Sequence, residues 1–246
     1  MAAGVGYFRV NNIKGIQMLS KEQLKELHGK KYVESFTNKQ SKFRIERLIN
    51  SVPLSSNFKV ADFGCGNGIL FHFLSNKVDS YTGIDFSEEF IDAAKRKQYS
   101  STSNVEFVCA DISEFCSKNK EVYDLAFAMD FSEHVYDEEW VDILIAIHSS
   151  LKDGGKLYIH TPNAEFFLEI MKKHNFFLKQ FPEHVAVRDI DNNCNLLKKA
   201  GFEIKKIDLI SHYNILKFLH LMSFIPAIGK YFKARIFIEA IKESRY

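Results

Sequence analysis

Residues 60–68, which read Val-Ala-Asp-Phe-Gly-Cys-Gly-Asn-Gly, decide how this chain folds. Residues 60–63 have the character of a buried strand end, and three glycines at alternate positions follow. Glycine lacks a Cβ atom, so the backbone can turn sharply there and a ligand can approach the main chain. The apolar segment 69–74 predicts a helix directly after the turn, with its first N–H groups available to a ligand. This arrangement suits a nucleoside ligand that carries polar groups.

The composition is that of a globular protein with one large domain. Of the 246 residues, 46% are hydrophobic and 26% are charged, and the net charge of +2 gives no electrostatic case for a nucleic-acid partner. The four cysteines form no C-x-x-C pair, which argues against a zinc knuckle. Residues 1–10 lack the pattern of a secretory signal, and no apolar run approaches the length of a membrane span. Free thiols without an export signal predict a cytoplasmic protein.

Strand patterns and helix patterns alternate along most of the chain. The strands are predicted at 58–63, 80–86, 105–109, 123–130, 156–161, 202–210 and 235–241. This alternation predicts βαβ units and a mostly parallel sheet, which binds ligands at the carboxyl ends of its strands. Within a single domain, we predict an N-terminal helical cap over 1–52, a cofactor-binding half over 58–161 and an acceptor-side half over 162–246.

The spacing of the glycines and one acid, Asp62, distinguish this turn from a dinucleotide or phosphate loop. Its pattern lacks both the G-x-G-x-x-G spacing and a Walker lysine, and Asp62 would repel a phosphate but suits a ligand with an ammonium group. Asp85 follows about twenty residues later, where nucleotide-binding folds hold the ribose hydroxyls. The alternative role for Asp85 is to cap the next helix, a role for which Ser87 competes.

With these features the chain resembles the class I S-adenosylmethionine-dependent methyltransferases. The stretches that match in order and spacing are 60–68, 82–86, 109–112, 123–135 and 151–157. Three further stretches resemble the ubiquinone-biosynthesis O-methyltransferase type and its small-molecule relatives, namely 132–135, 161–163 and 198–203. The resemblance implies a Rossmann-like α/β fold. Its mostly parallel seven-stranded sheet would have the order 3-2-1-4-5-7-6, with helices on both faces and a helical cap.

By the same resemblance the cofactor is S-adenosylmethionine, the methyl donor. Asp62, Gly64 and Gly66 would line its methionine part. Cys65 would be a small residue of the same turn and not a nucleophile.

The nucleoside part of the donor is implied to meet two other strand ends. Asp85 would hold the ribose, with Phe86 beside the adenine. Asp111 would bond the adenine amino group, and Ile112 would lie against the ring.

Methyl transfer requires the nucleophile, the methyl carbon and the sulfur to be in line. Met129 and Asp130 are implied to close the site near the sulfonium. If the acceptor is a hydroxyl, a general base helps, and histidine is the usual one near neutral pH. His134 is the first candidate, with a structural role for its loop as an equal alternative. His184, where the family builds its acceptor lid, is the second candidate, and His160 is more simply a half-buried strand residue.

Acidic residues concentrate after the fourth strand. Asp130, Glu133, Asp137 and Glu138 are residues of the kind that hold magnesium in some methyltransferases. A solvated loop followed by a helix N-terminus explains the same residues. We therefore predict no metal ion.

Residues 213–233 form an aromatic insertion between the last two strands, which a hairpin of a few residues could join. A second aromatic concentration lies in the expected lid, at 166–181. Three interpretations compete: the core of a helical cap, an apolar pocket for the acceptor, and a patch that rests on a membrane surface. We favour the first two over a peripheral membrane contact.

Together these features predict methyl transfer to a small apolar or amphipathic acceptor, at a hydroxyl oxygen. The first alternative is N- or C-methylation of a small metabolite or of a glycan or lipid intermediate. The second is a scaffold protein that binds the cofactor without turnover.

Overall fold

The computed structural model describes residues 42–97, 104–174, 176–211 and 221–243. Residues 1–41 of the predicted helical cap and residues 213–220 of the aromatic insertion lie outside these ranges. Most of the predicted helical cap at 1–52 therefore stays a prediction, as does the division of the chain into two halves.

The described part of the chain contains a seven-stranded sheet with the order β3-β2-β1-β4-β5-β7-β6. Neighbouring strands pair in parallel from β3 to β5, whereas β7 is antiparallel to both β5 and β6. The predicted fold class, strand order and antiparallel last strand are thus confirmed. The strands are β1 (Lys59–Phe63), β2 (Ser80–Asp85), β3 (Val105–Cys109), β4 (Tyr123–Met129), β5 (Leu151–Pro162), β6 (Phe202–Ser211) and β7 (Lys233–Lys242).

Helices cover both faces of this sheet. On one face, Trp140 and Leu144 pack with Leu197, and on the other, Ile49 packs with Leu74. Burying each such side chain contributes about 1.5–3 kcal/mol, so the two layers hold the strand ends in place. The helices are α1 (Lys42–Ile49), α2 (Phe71–Leu74), α3 (Glu88–Arg96), α4 (Ile112–Lys118), α5 (Asp137–Ser150), α6 (Phe167–Lys173) and α7 (Ile190–Lys199), with 3₁₀ turns at Ser132–His134 and Gly229–Phe232.

The glycine turn differs from the prediction in one respect. The helix expected over 69–74 is only the four-residue α2. The N–H groups of Gly64 and Cys65 donate to the Ile84 carbonyl at 2.8 and 3.1 Å, which ties the turn to β2. These two N–H groups are therefore used within the protein, and the expectation that the helix offers its first N–H groups to a ligand stays a prediction.

Gly64 is required at its position. It has φ +72°, and an added Cβ atom would lie 2.6 Å from Cδ2 of Phe131. A side chain here would be strained by the backbone and would clash with a ring.

The strand β5 begins at Leu151, five residues before its predicted start. Its pairing with β4 shifts register between Tyr123 and Leu125, and Gly154 has φ +74°. Residues 153–155 therefore form a bulge within the strand, where a glycine with positive φ is common. Among the described residues, no helix is long and apolar enough to span a bilayer.

Candidate active site

A cleft opens at the carboxyl ends of β1, β2 and β4. Its empty volume, open solvent included, is about 880 Å³. All residues predicted to bind the cofactor line this cleft except Asp111 and Ile112, and His134 lies in the same wall. The predicted residues that the structure brings together here are Asp62, Gly64, Cys65, Gly66, Asp85, Phe86, Met129, Asp130 and His134.

Asp62 is a buried carboxyl at the floor of the cleft. Burial raises its pKa to about 7, even though the Tyr81 hydroxyl donates to Asp62 Oδ2 at 2.6 Å and opposes the shift, and the charge of Asp85 adds to it. A cationic ligand group would stabilise the ionised form of this carboxyl. The position therefore suits an ammonium group.

Asp85 holds the turn and also faces the cleft. Its Oδ2 accepts from the Gly66 N–H at 3.0 Å, and its Oδ1 accepts from the Ser87 N–H at 2.9 Å. Ser87 is the cap of α3, because its Oγ accepts from the Phe90 N–H. Each carboxylate oxygen can accept more than one hydrogen bond, so Asp85 can still bind vicinal hydroxyls.

Asp111 and Ile112 lie at the end of β3, away from the lining of the cleft. Asp111 is exposed, and its Oδ1 caps α4 by accepting from the N–H groups of Ser113 and Glu114 at 2.9 and 3.2 Å. Ile112 is buried in the core. Their contact with adenine stays a prediction.

Arg44 is a cleft residue that the sequence analysis missed. It lies on α1, and its guanidinium donates to Asp130 Oδ2 at 2.6 Å. The available signal was its spacing, because Arg44 precedes the buried Leu48 by one helical turn and so shares its face. A guanidinium at this wall can bind a carboxylate in a bidentate manner.

Asp130 gathers three cationic or polar partners at the end of β4. Its Oδ1 accepts from Arg235 at 2.6 Å and contacts His160 Nδ1 at 2.8 Å, in addition to the Arg44 bond. Burial opposes ionisation of Asp130, but Arg44, Arg235 and His160 together hold the pKa of its carboxyl well below its usual range. Its φ of +54° is strained for a residue other than glycine, and such strain is common at functional sites.

His134 has a defined hydrogen-bonding state. Its Nδ1 lies 2.9 Å from the Glu183 carbonyl oxygen, which can only accept, so Nδ1 carries a proton and Nε2 is the acceptor of the neutral ring. The His184 ring is perpendicular to the His134 ring, with centroids 5.0 Å apart. The two predicted catalytic histidines are thus neighbours.

His184 is neutral at pH 7. Burial, together with the charges of His134, Arg235 and Lys172, lowers its pKa to about 3. Its Nδ1 is buried without a hydrogen-bond partner among the described residues.

Glu133 lies beside the two histidines and is almost completely buried. Burial and the charge of Asp130 raise its pKa to about 8. Ligand atoms of Glu133, His134 and His184 all lie within 4.8 Å of one another, so these side chains could hold a divalent cation. Asp137, which the sequence grouped with Glu133, instead accepts from Arg188 at 2.7 Å.

Arg188 holds the turn that carries Glu133 and His134. Its side chain is buried and donates to the carbonyls of Ser132 and Val135, each at 2.6 Å. Both carbonyls flank His134, so this arginine positions the histidine without facing the cleft.

Comparison with known proteins identifies the family of this chain. Residues 31–207 match a family described as a methyltransferase domain. The ubiquinone biosynthesis O-methyltransferase of Coxiella burnetii (strain RSA 493 / Nine Mile phase I) is 30% identical over 158 residues. The match covers 61% of this chain and 65% of the relative, so it spans somewhat less than two thirds of the relative's length.

Solved structures share the fold at lower identity. A SAM-dependent methyltransferase from Archaeoglobus fulgidus has a TM-score of 0.66 and 19% identity, over 87% of this chain and all of that one. The [4+2]-cyclase SpnF has a TM-score of 0.63 and 17% identity, over 83% of this chain and 81% of that one. With the family match over most of its length, this chain belongs to the class I S-adenosylmethionine-dependent methyltransferases.

Proposed function

We propose that this protein transfers a methyl group from S-adenosylmethionine to a hydroxyl oxygen of a small apolar or amphipathic molecule. The observation that carries the proposal is the position of His134. Its acceptor nitrogen, Nε2, belongs to a side chain that lines the same cleft as Asp62 and Asp85. A proton acceptor and the expected donor-binding carboxyls therefore share one space.

The cleft residues fit the groups of the donor. The buried carboxyl of Asp62 suits the ammonium, and the Arg44 guanidinium suits the carboxylate of the methionine part. Asp85 suits the ribose, and Phe86 offers an apolar surface to the adenine. When bound, the donor supplies an electrophilic methyl group on a positively charged sulfur.

The protein's part in the reaction is alignment and proton removal. The acceptor oxygen would form its bond to the methyl carbon while the carbon–sulfur bond breaks and the sulfur loses its charge. The hydroxyl proton would pass to His134 Nε2, and the Nδ1–H bond to the Glu183 carbonyl keeps that nitrogen an acceptor. His184 would remain neutral and shield the proton transfer from water.

An oxygen acceptor is preferred over nitrogen or carbon for two reasons. A hydroxyl needs help to lose its proton, and the cleft presents an oriented imidazole. The Coxiella burnetii relative is, by its name, an O-methyltransferase of ubiquinone biosynthesis. Because the [4+2]-cyclase SpnF shares this fold, the fold alone does not determine the reaction.

A second route to the same deprotonation is favoured by the short distances within the group Glu133, His134 and His184. A divalent cation held there would lower the pKa of a coordinated hydroxyl in place of a histidine base. Removal of metal ions with a chelator distinguishes the two routes, because only the metal-assisted route would lose activity.

Product analysis with paired acceptors tests the proposal. The protein is incubated with S-adenosylmethionine and with phenols and anilines that share one carbon skeleton, and products are identified by mass spectrometry. We expect O-methyl products from phenols with apolar substituents and little reaction of the matching anilines. Methylation of the anilines alone would replace the oxygen assignment, and donor binding without any product across the panel would favour the scaffold alternative.

A further inference from the structure

Exposed apolar side chains are concentrated in two segments. Of ten large hydrophobic side chains that are exposed among the described residues, eight lie within 176–181 and 221–231. Phe177 is 87% exposed and Leu221 is 75% exposed. We call the six most exposed of them the apolar rim: Phe176, Phe177, Phe181, Leu221, Phe224 and Ile225.

The two segments are connected through α6. At its start, the Phe167 ring packs on Phe232 with centroids 5.6 Å apart, and Lys230 forms an ion pair with Glu165. At its end, the chain leads directly into Phe176 and Phe177. A helix of this length spans roughly 10 Å, so both halves of the apolar rim lie near the same helix.

The apolar rim continues into the candidate active site. The Phe181 ring lies 5.3 Å from the His184 ring, which in turn contacts His134 at the wall of the cleft. Phe181 and His184 therefore connect the apolar rim to the proposed base.

The charged residues near the apolar rim determine which kind of surface it can bind. The sequence contains no Asp or Glu between Asp208 and Glu239, or within 170–182, while both stretches contain lysines. Lys233 lies over the Phe224 ring at 5.3 Å, and Lys173 and Lys179 are exposed. Lys172, over the Phe181 ring, and Lys230, over the Tyr231 ring, are paired with Glu169 and Glu165. Aromatic side chains flanked by lysines suit an apolar layer beneath anionic headgroups.

From these observations we propose that the apolar rim docks on the surface of an anionic lipid bilayer. A second copy of the chain fits less well, because a symmetric contact would bring the same lysines together. The docking stands on the exposed residues alone. The inference that the bilayer also delivers the acceptor to His134 rests on the proposed function.

Vesicle co-sedimentation tests the docking with the full chain. The vesicles contain either phosphatidylcholine alone or phosphatidylcholine with a minority of phosphatidylglycerol. We expect binding to the second kind, weakened by salt. Replacing the aromatic residues in Phe177→Ser/Phe224→Ser should weaken the partitioning by about tenfold per residue. Replacing exposed lysines in Lys173→Glu/Lys179→Glu should abolish the preference for phosphatidylglycerol.

Ile145→Ser is the matched control, because Ile145 is exposed on α5 and lies outside the apolar rim. Equal binding of the aromatic double variant and this control would overturn the proposal, as would absence of binding to the anionic vesicles. A dimer in light scattering that the double variant abolishes would assign the rim to a second copy instead. Calorimetry with S-adenosylmethionine on the same samples separates this proposal from the proposed function, because donor binding does not depend on the rim.

Discussion

Arg44 on α1 and Asp130 at the end of β4 are joined by a hydrogen bond of 2.6 Å, although 86 residues separate them in the sequence. The pair forms part of the cleft wall, and Asp130 also accepts from Arg235 and contacts His160. Asp130 therefore remains neutralised when Arg44 is removed, whereas a ligand carboxylate at this wall would lose its partner.

Substitution Arg44→Ala should weaken S-adenosylmethionine binding by about 10- to 100-fold, the loss expected for one or two charge-assisted hydrogen bonds. Calorimetric titration measures the affinity. Arg47→Ala is the control, because Arg47 lies on the same helix and is exposed. Equal affinities for the two variants would remove Arg44 from the donor site.

Asp62 should make stability depend on pH in the absence of the donor. Its pKa in the folded protein, about 7, lies above that of an unfolded aspartate. The folded state therefore binds the Asp62 proton more tightly than the unfolded state does. The stability that this carboxyl contributes is highest at low pH and falls as the pH rises from about 4 to 7.

Asp62→Asn should remove its share of this dependence, roughly 1 kcal/mol per pH unit within that window. Thermal unfolding between pH 4 and 8 measures it. Glu133, whose pKa is raised to about 8, contributes a slope of the same sign in both proteins. Parallel curves of unfolding temperature against pH for the wild type and the variant would show that ionisation of Asp62 does not lower the stability of the folded protein.

Arg188→Met should destabilise the protein because it removes the guanidinium donors to the Ser132 and Val135 carbonyls and leaves Ser132 with only the 3.3 Å bond from the Val135 N–H. At about 1–3 kcal/mol for each unsatisfied group, the midpoint of thermal unfolding should fall by roughly 10 °C. The control Lys198→Met, in the last turn of α7, should change it little. An unchanged midpoint in Arg188→Met would mean that the turn carrying His134 is held by other contacts.

The parts of the site that the sequence predicted are those set by local geometry. Asp62, Gly64 and Asp85 follow from one strand end, one tight turn and the next strand end, which lie close in sequence. Arg44 was missed because the face of α1 that meets the cleft is decided by packing against a distant part of the chain. The attachment of the turn to β2 could not be predicted either, because the hydrogen bonds from Gly64 and Cys65 to Ile84 depend on the tertiary structure.

The histidine neighbourhood shows the same division. His134 and His184 were both candidates, but their contact depends on the lid segment that carries His184. This segment is attached to the turn by a hydrogen bond from the Ala186 N–H to the Glu133 carbonyl at 3.1 Å. Because the two histidines are far apart in the sequence, neither their contact nor the proximity of Glu133 to His184 could be predicted from it.

Treatment with a chelator distinguishes a histidine base from a metal-assisted route for removal of the acceptor proton. If His134 acts as the base, protein treated with EDTA and then dialysed should keep its full rate of methyl transfer. Loss of the rate, restored by Mn²⁺ in the wild type but not in His184→Ala, would instead establish the metal-assisted route. Donor affinity serves as the control for folding in each sample.

Methyl transfer from S-adenosylmethionine to a hydroxyl oxygen, with His134 as the base, is tested by labelling the methyl group of the donor. The product is followed by mass spectrometry in the wild type and in His134→Gln. We expect label on the acceptor oxygen in the wild type, a rate lowered about 10²- to 10⁴-fold in the variant, and equal donor affinity in both. Equal rates in the two proteins, or no transfer of label by a wild type that binds the donor, would contradict it.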